Sequence, residues 1–138
     1  MSKWSHINGS IRVDGLGGLI PKPLFGDLFK TVEYDDPEEK WDECNVPCGR
    51  EGSIQVNIWQ NLDPSCMAQY TINVFGDLRD YSDVQEVSDW FEKIVKKSGL
   101  MIRSAVLTCN VEFDAIHTFV YVSDDEPIKV YIADTKGM

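Results

Sequence analysis

Apolar and polar positions alternate most clearly from Gly52 to Phe113, and the rest of the chain is read around that stretch. Ile54, Val56 and Ile58 alternate with Gln55, Asn57 and Trp59, which predicts a half-buried strand over Gly52–Asn61. Tyr70, Ile72 and Val74 alternate with Gln69, Thr71 and Asn73, which predicts a second strand over Ala68–Phe75. The turn-rich run from Asn61 to Met67 joins the two as a hairpin with a long loop. Gly76 to Tyr81 then reads as a turn.

The period changes after Tyr81. Val84, Val87, Trp90, Phe91, Ile94 and Val95 recur on one face of a helix predicted over Asp83–Ser98. Ser82 with Gln85 offers a capping box, and Gly99 supplies the residue past the C-terminus. Acids near the start and lysines near the end suit the helix dipole. A long strand is predicted over Leu100–Phe113. Met101, Ala105, Leu107, Cys109, Val111 and Phe113 share one face, and Arg103 falls on that same face. Two more strands follow, over Ile116–Ser123 and Ile128–Ala133.

Upstream, Trp4 to Val13 alternates with Ile7, Gly9, Ile11 and Val13 on one side, which predicts a strand. Glycines at 15, 17 and 18 and prolines at 21 and 23 break it, and Leu24 to Lys30 has the spacing of one or two helical turns. A strand–helix–strand unit from Ala68 to Phe113 implies a crossover between parallel strands. The fold expected is therefore α+β: a single domain over residues 1–138, with a ferredoxin-like mixed sheet, one main helix and a C-terminal strand extension.

The chain's 138 residues suit one domain with one core. No apolar run approaches the roughly 20 residues that span a bilayer. The N-terminus shows no apolar signal region, so the expectation is a soluble, cytoplasmic protein with no membrane partner. In that setting the four cysteines, Cys44, Cys48, Cys66 and Cys109, are expected to be reduced.

Charge changes the picture more. The net charge is −10, and most of it is local. Glu33 to Glu43 holds seven acids against Lys40, within a turn-rich stretch at about 31–50 that reads as a mobile acidic loop anchored by Trp41 and Val46. Asp124, Asp125 and Glu126 add three more. Such runs are ordinarily solvated loops; the functional alternative is a partner-binding patch made by Asp35, Asp36, Glu38, Glu39, Asp124, Asp125 and Glu126 for a basic protein. No basic stripe exists to neutralise phosphates, which argues against nucleic acid as a partner.

Candidate chemistry is sparse. Cys44 and Cys48 form C-x-x-x-C, but no second ligand pair is near in sequence, so neither zinc nor any other cofactor is expected. The two histidines, His6 and His117, lie in strands; a triad would need one beside a Ser or Cys and an orienting carboxylate. No G-x-S-x-G is present and no pair of carboxylates is singled out, so no catalytic residue is assigned. Cys48 to Ser53 offers a backbone nest with Arg50, or simply the turn that launches a strand. Arg79 sits at a strand end before a helix, a common ligand position, or pairs locally with Asp77 or Asp80. Trp59 and Phe75 fall on the polar faces of their strands; uncovered they would mark a binding face, covered they would be core. Arg50, Arg79, Trp59 and Phe75 are therefore the candidate ligand-binding residues.

Four segments together carry a resemblance: Trp4 to Asp14, Val46 to Ser53, Tyr70 to Tyr81 and Ile102 to Leu107. They resemble a group of small uncharacterised proteins encoded by tailed phages and prophages. The resemblance implies a phage context and supplies no active site. The function expected is a non-enzymatic phage or prophage accessory protein that binds and modulates a host or phage protein. Sheet edges or exposed aromatics would also support a homodimer. The alternatives are a binder of a nucleotide-like anion and an enzyme with an unrecognised carboxylate site.

Overall fold

The structure, a computed structural model, describes residues 2–15, 46–61, 63, 65 and 70–134. The predicted helical turns at 24–30, residues 31–45 with Trp41, Asp35, Asp36, Glu38 and Glu39, and both Cys44 and Cys66 lie outside these residues.

Six strands and one helix follow one another as β1 (Trp4–Val13), β2 (Ile54–Gln60), β3 (Tyr70–Arg79), α1 (Val84–Lys97), β4 (Ile102–Val111), β5 (Ala115–Val120) and β6 (Lys129–Asp134). They form one sheet in the order β2-β3-β1-β4-β5-β6. Every ladder is antiparallel. This overturns the expected ferredoxin-like mixed sheet: the described residues form a six-stranded antiparallel sheet with one helix. β3 and β4 do run in the same direction, as the strand–helix–strand unit implied, but they do not pair. β1 lies between them, antiparallel to both. The reason is physical. β1 has an apolar face to bury and two edges of backbone N–H and C=O to satisfy, and the slot between β3 and β4 does both. β5 and β6 extend the sheet beyond β4, as expected.

Alternation sorts the strands into two faces. Ile7, Ile11 and Val13 of β1, Ile72, Val74 and Leu78 of β3, and Ala105, Leu107, Cys109 and Val111 of β4 are buried on one of them. α1 packs on that face over β4 and β5 with Val87, Trp90, Phe91, Ile94 and Val95, all buried. Phe91 meets Phe119 of β5 with ring centroids 6.4 Å apart. The N-cap is Asp83, whose side chain accepts from the Glu86 N–H at 3.1 Å, in place of the predicted Ser82–Gln85 box. α1 is shorter than the roughly 20 apolar residues of a membrane span, and no described helix is long and apolar enough to cross a membrane.

Three local expectations change. β3 does not stop at Phe75 but continues through the predicted turn to Arg79, because Leu78 keeps the buried register and Trp4 pairs with Arg79. Arg103 is not on the apolar face: the β1–β4 register shifts between Arg12 and Val13, which turns Arg103 outward to bond Asp14 at 2.7 Å. Phe113 leaves the strand altogether, with φ of 62° in the turn to β5, and is exposed.

Candidate functional site

Among the described residues no element covers the face of the sheet opposite α1, and the residues of that face align in rungs across the strands. One rung crosses all six: Gln55, Phe75, Asn8, Thr108, Thr118 and Tyr131 stand opposite one another in turn. The next, toward one end, runs Asn57, Asn73, Ser10, Val106, Val120 and Lys129. This surface, amide- and hydroxyl-rich over β2, β3 and β1 and more apolar toward β6 with Val106, Val120 and Tyr131, carries Trp59 and Phe75, which are 53% and 49% exposed. Of the two readings open for these aromatics, the described residues give the exposed one. They do not stack on each other. Trp59 stands opposite Thr71 and Phe75 opposite Gln55, four residues along the ladder, or about 13 Å.

At the other end of the same face lies a cluster of charged groups centred on His6. Asp77 is the cross-strand partner of His6 on β3. His6 Nδ1 lies 2.5 Å from Asp77 Oδ1, and Nε2 lies 2.8 Å from Glu112 Oε2. Glu112 is itself held: its Oε1 accepts from the Trp4 N–H at 2.9 Å, and its own N–H donates to the Trp4 carbonyl at 3.0 Å. The hydrogen bonds from Asp77 and Glu112 raise the His6 pKa above its ordinary value, with partial burial opposing them. The bond to His6 and the bond to the Trp4 N–H hold the Glu112 carboxyl below the usual range. The two carboxylates face the two ring nitrogens and favour the charged form of the ring, one from β3 and one from the turn just past β4. Both nitrogens face carboxylates, and among the described residues no Ser or Cys is bonded to either one. His117 stands opposite Cys109 on the other face of the sheet, so the two histidines share no site. Among the described residues no group of three His, Cys, Asp or Glu side chains is arranged to hold a metal.

Beside this cluster the Val46–Ser53 segment docks on the end of β3. Val46 is buried, Cys48 bridges to Ser53, and the Arg50 N–H and Arg79 N–H exchange bonds with the carbonyls of Arg79 and Glu51, each at 2.9 Å. The docking brings Arg50 and Arg79 together around Asp80, at 3.9 and 3.7 Å. Arg79 also donates to Glu51 at 2.5 Å and to the Ser2 hydroxyl at 2.9 Å. The arginines meet, as a shared ligand site requires, but carboxylates already answer them. Their positive potential is largely cancelled, and the arrangement gives an anion little to gain.

Asp124, Asp125 and Glu126 form the turn into β6. Asp124 accepts from the Tyr121 hydroxyl at 2.7 Å, a bond that with burial pushes the Tyr121 pKa up to about 12. The Glu126 carbonyl accepts from Lys96 at 2.6 Å. Cys109 carries a free thiol, and burial pushes it up to about 11.

Sequence reasoning named His6 but missed its partners. Asp77 was hidden by the reading of Gly76–Tyr81 as a turn. The signal that would have found it is Leu78, which continues the spacing of Ile72 and Val74 and keeps Asp77 on the polar face with His6. Compared with known proteins, the chain matches no family model, no curated protein and no solved structure.

Proposed function

We propose that this chain is a non-enzymatic binding protein that holds a protein partner on the sheet face α1 leaves bare. The observation that carries the reading is the exposure of Trp59 and Phe75, 53% and 49%, among the amide and hydroxyl side chains of β2, β3 and β1 on that face. Aromatic side chains ringed by hydrogen-bonding groups are the usual anchors of protein interfaces. The chemistry of His6 supports the same reading, since both its nitrogens are committed to carboxylates. The resemblance to phage-encoded proteins directs the search for the partner to host and phage proteins. The anion-binding alternative is weaker, because Glu51 and Asp80 already occupy Arg79.

The test is affinity capture of the partner from the infected host, followed by titration of the two purified proteins. The double variant Trp59→Ser, Phe75→Ser is expected to weaken binding by at least about tenfold, the scale of a lost anchor. Its melting temperature should stay close to that of the parent, because both side chains are exposed. Unchanged affinity in the double variant would refute this face as the binding surface.

A further inference from the structure

β6 ends the sheet, and no further strand pairs with it among the described residues. All six of its residues are exposed. The three in the middle are large and apolar: Val130 is 47%, Tyr131 58% and Ile132 64% exposed. α1 packs over β4 and β5 and does not cover β6. Val130 and Ile132 therefore emerge on the helix side, opposite Phe119 and His117, while Tyr131 emerges on the open face at the end of the rung that contains Phe75. Native edge strands are usually blunted by central charges, prolines or bulges. This one has apolar side chains at its centre and an outward row of backbone donors and acceptors.

We infer that β6 is an acceptor for strand addition, and that its occupant is an extended partner segment with apolar residues at alternate positions and basic residues at its C-terminal end. The inference rests on the protein-binding reading above and names the partner's chemistry. Main-chain bonds to the edge would supply affinity, and alternate side chains would pack on Val130 and Ile132 on one side and on Tyr131 on the other. Charge selects the occupant. The turn that feeds β6 presents Asp124, Asp125 and Glu126, three acids against two cations, Lys129 at the strand's start and Lys96, whose ammonium donates to the Glu126 carbonyl. In an antiparallel addition, the sense of every ladder in this sheet, the C-terminal end of the incoming strand lies beside that turn. Lysine or arginine there meets three carboxylates. A second copy of this chain would bring the same turn and a net charge of −10, so its approach is opposed.

The probe is a fluorescent peptide of alternating valine and threonine ending in three lysines. A control carries the lysines at its N-terminus. Binding to the full chain is followed by anisotropy at low and physiological salt, and amide hydrogen exchange locates the site. The lysine-last peptide is expected to bind at least about fivefold tighter than the lysine-first one, with the difference shrinking as salt screens it. Protection should fall on β6. Asp125→Asn with Glu126→Gln should remove the preference for peptide polarity, and Ile132→Lys should abolish binding of both peptides. Equal binding of the two peptides, protection away from β6, or self-association of the chain through β6 at low salt would each overturn the inference. The Trp59, Phe75 double variant separates the two readings: a β6 that fails these tests while that variant still loses the captured partner removes the strand addition and leaves the open face as the binding surface.

Discussion

His6 Nδ1 lies 2.5 Å from Asp77 Oδ1, across the ladder that joins the central strand to its neighbour. With Glu112 on the other nitrogen, one side chain ties β3, β1 and the end of β4 on the face opposite α1. A histidine between two carboxylates makes this tie depend on pH in both directions.

The folded-state pKa of His6 lies above its ordinary 6.5, so its contribution is complete below pH 6.5 and is lost as pH rises through the folded value. That of Glu112 lies below its ordinary 4.5, so its contribution is present above pH 4.5 and is lost as pH falls through the folded value. Thermal melts of the parent and of His6→Gln should therefore differ most between about pH 5 and 6, and the gap should narrow toward pH 9. A gap of equal size across that range would mean that the pair does not titrate as described.

Gly52 has φ of 79°, and a Cβ there would collide with the carbonyl oxygen of Asp77. Gly99 has φ of 80° with open space around it. Gly99→Ala should cost only the left-handed conformation, about 1–2 kcal/mol. Gly52→Ala should cost more, because the Val46–Ser53 segment must also lift from β3. Chemical denaturation measures both. Equal losses would show that this segment does not press on β3.

Tyr70 is buried in the core, and among the described residues its hydroxyl has no hydrogen-bond partner. A polar group left without a partner in the interior costs stability. Tyr70→Phe is expected to leave stability unchanged or raise it by about 1 kcal/mol in denaturant titration. A loss of that size instead would mean that the hydroxyl has a partner in solution.

By itself the sequence determined the elements and their faces. Alternation is a local property, and it separated Ile7, Ile11 and Val13 from His6, Asn8 and Arg12 on β1 as the structure does. Helical spacing is equally local: Val87, Trp90, Phe91, Ile94 and Val95 are the buried side of α1. Trp59 and Phe75 could be assigned to a face from their spacing alone. Whether that face was covered could not, because a covering layer comes from elsewhere in the chain. Only the tertiary structure decided which strands are neighbours. A period of two states which side a residue faces and says nothing of what pairs with its backbone. The slot taken by β1 was set by the edges of β3 and β4 together, segments separated from β1 by more than fifty residues of chain. The same long-range pairing put Asp77 and Glu112 on the two nitrogens of His6, and Glu51 on Arg79 beside its local partner Asp80. A charged side chain is fixed by the partner that neutralises it, and here every partner but Asp80 lay on another segment of the chain.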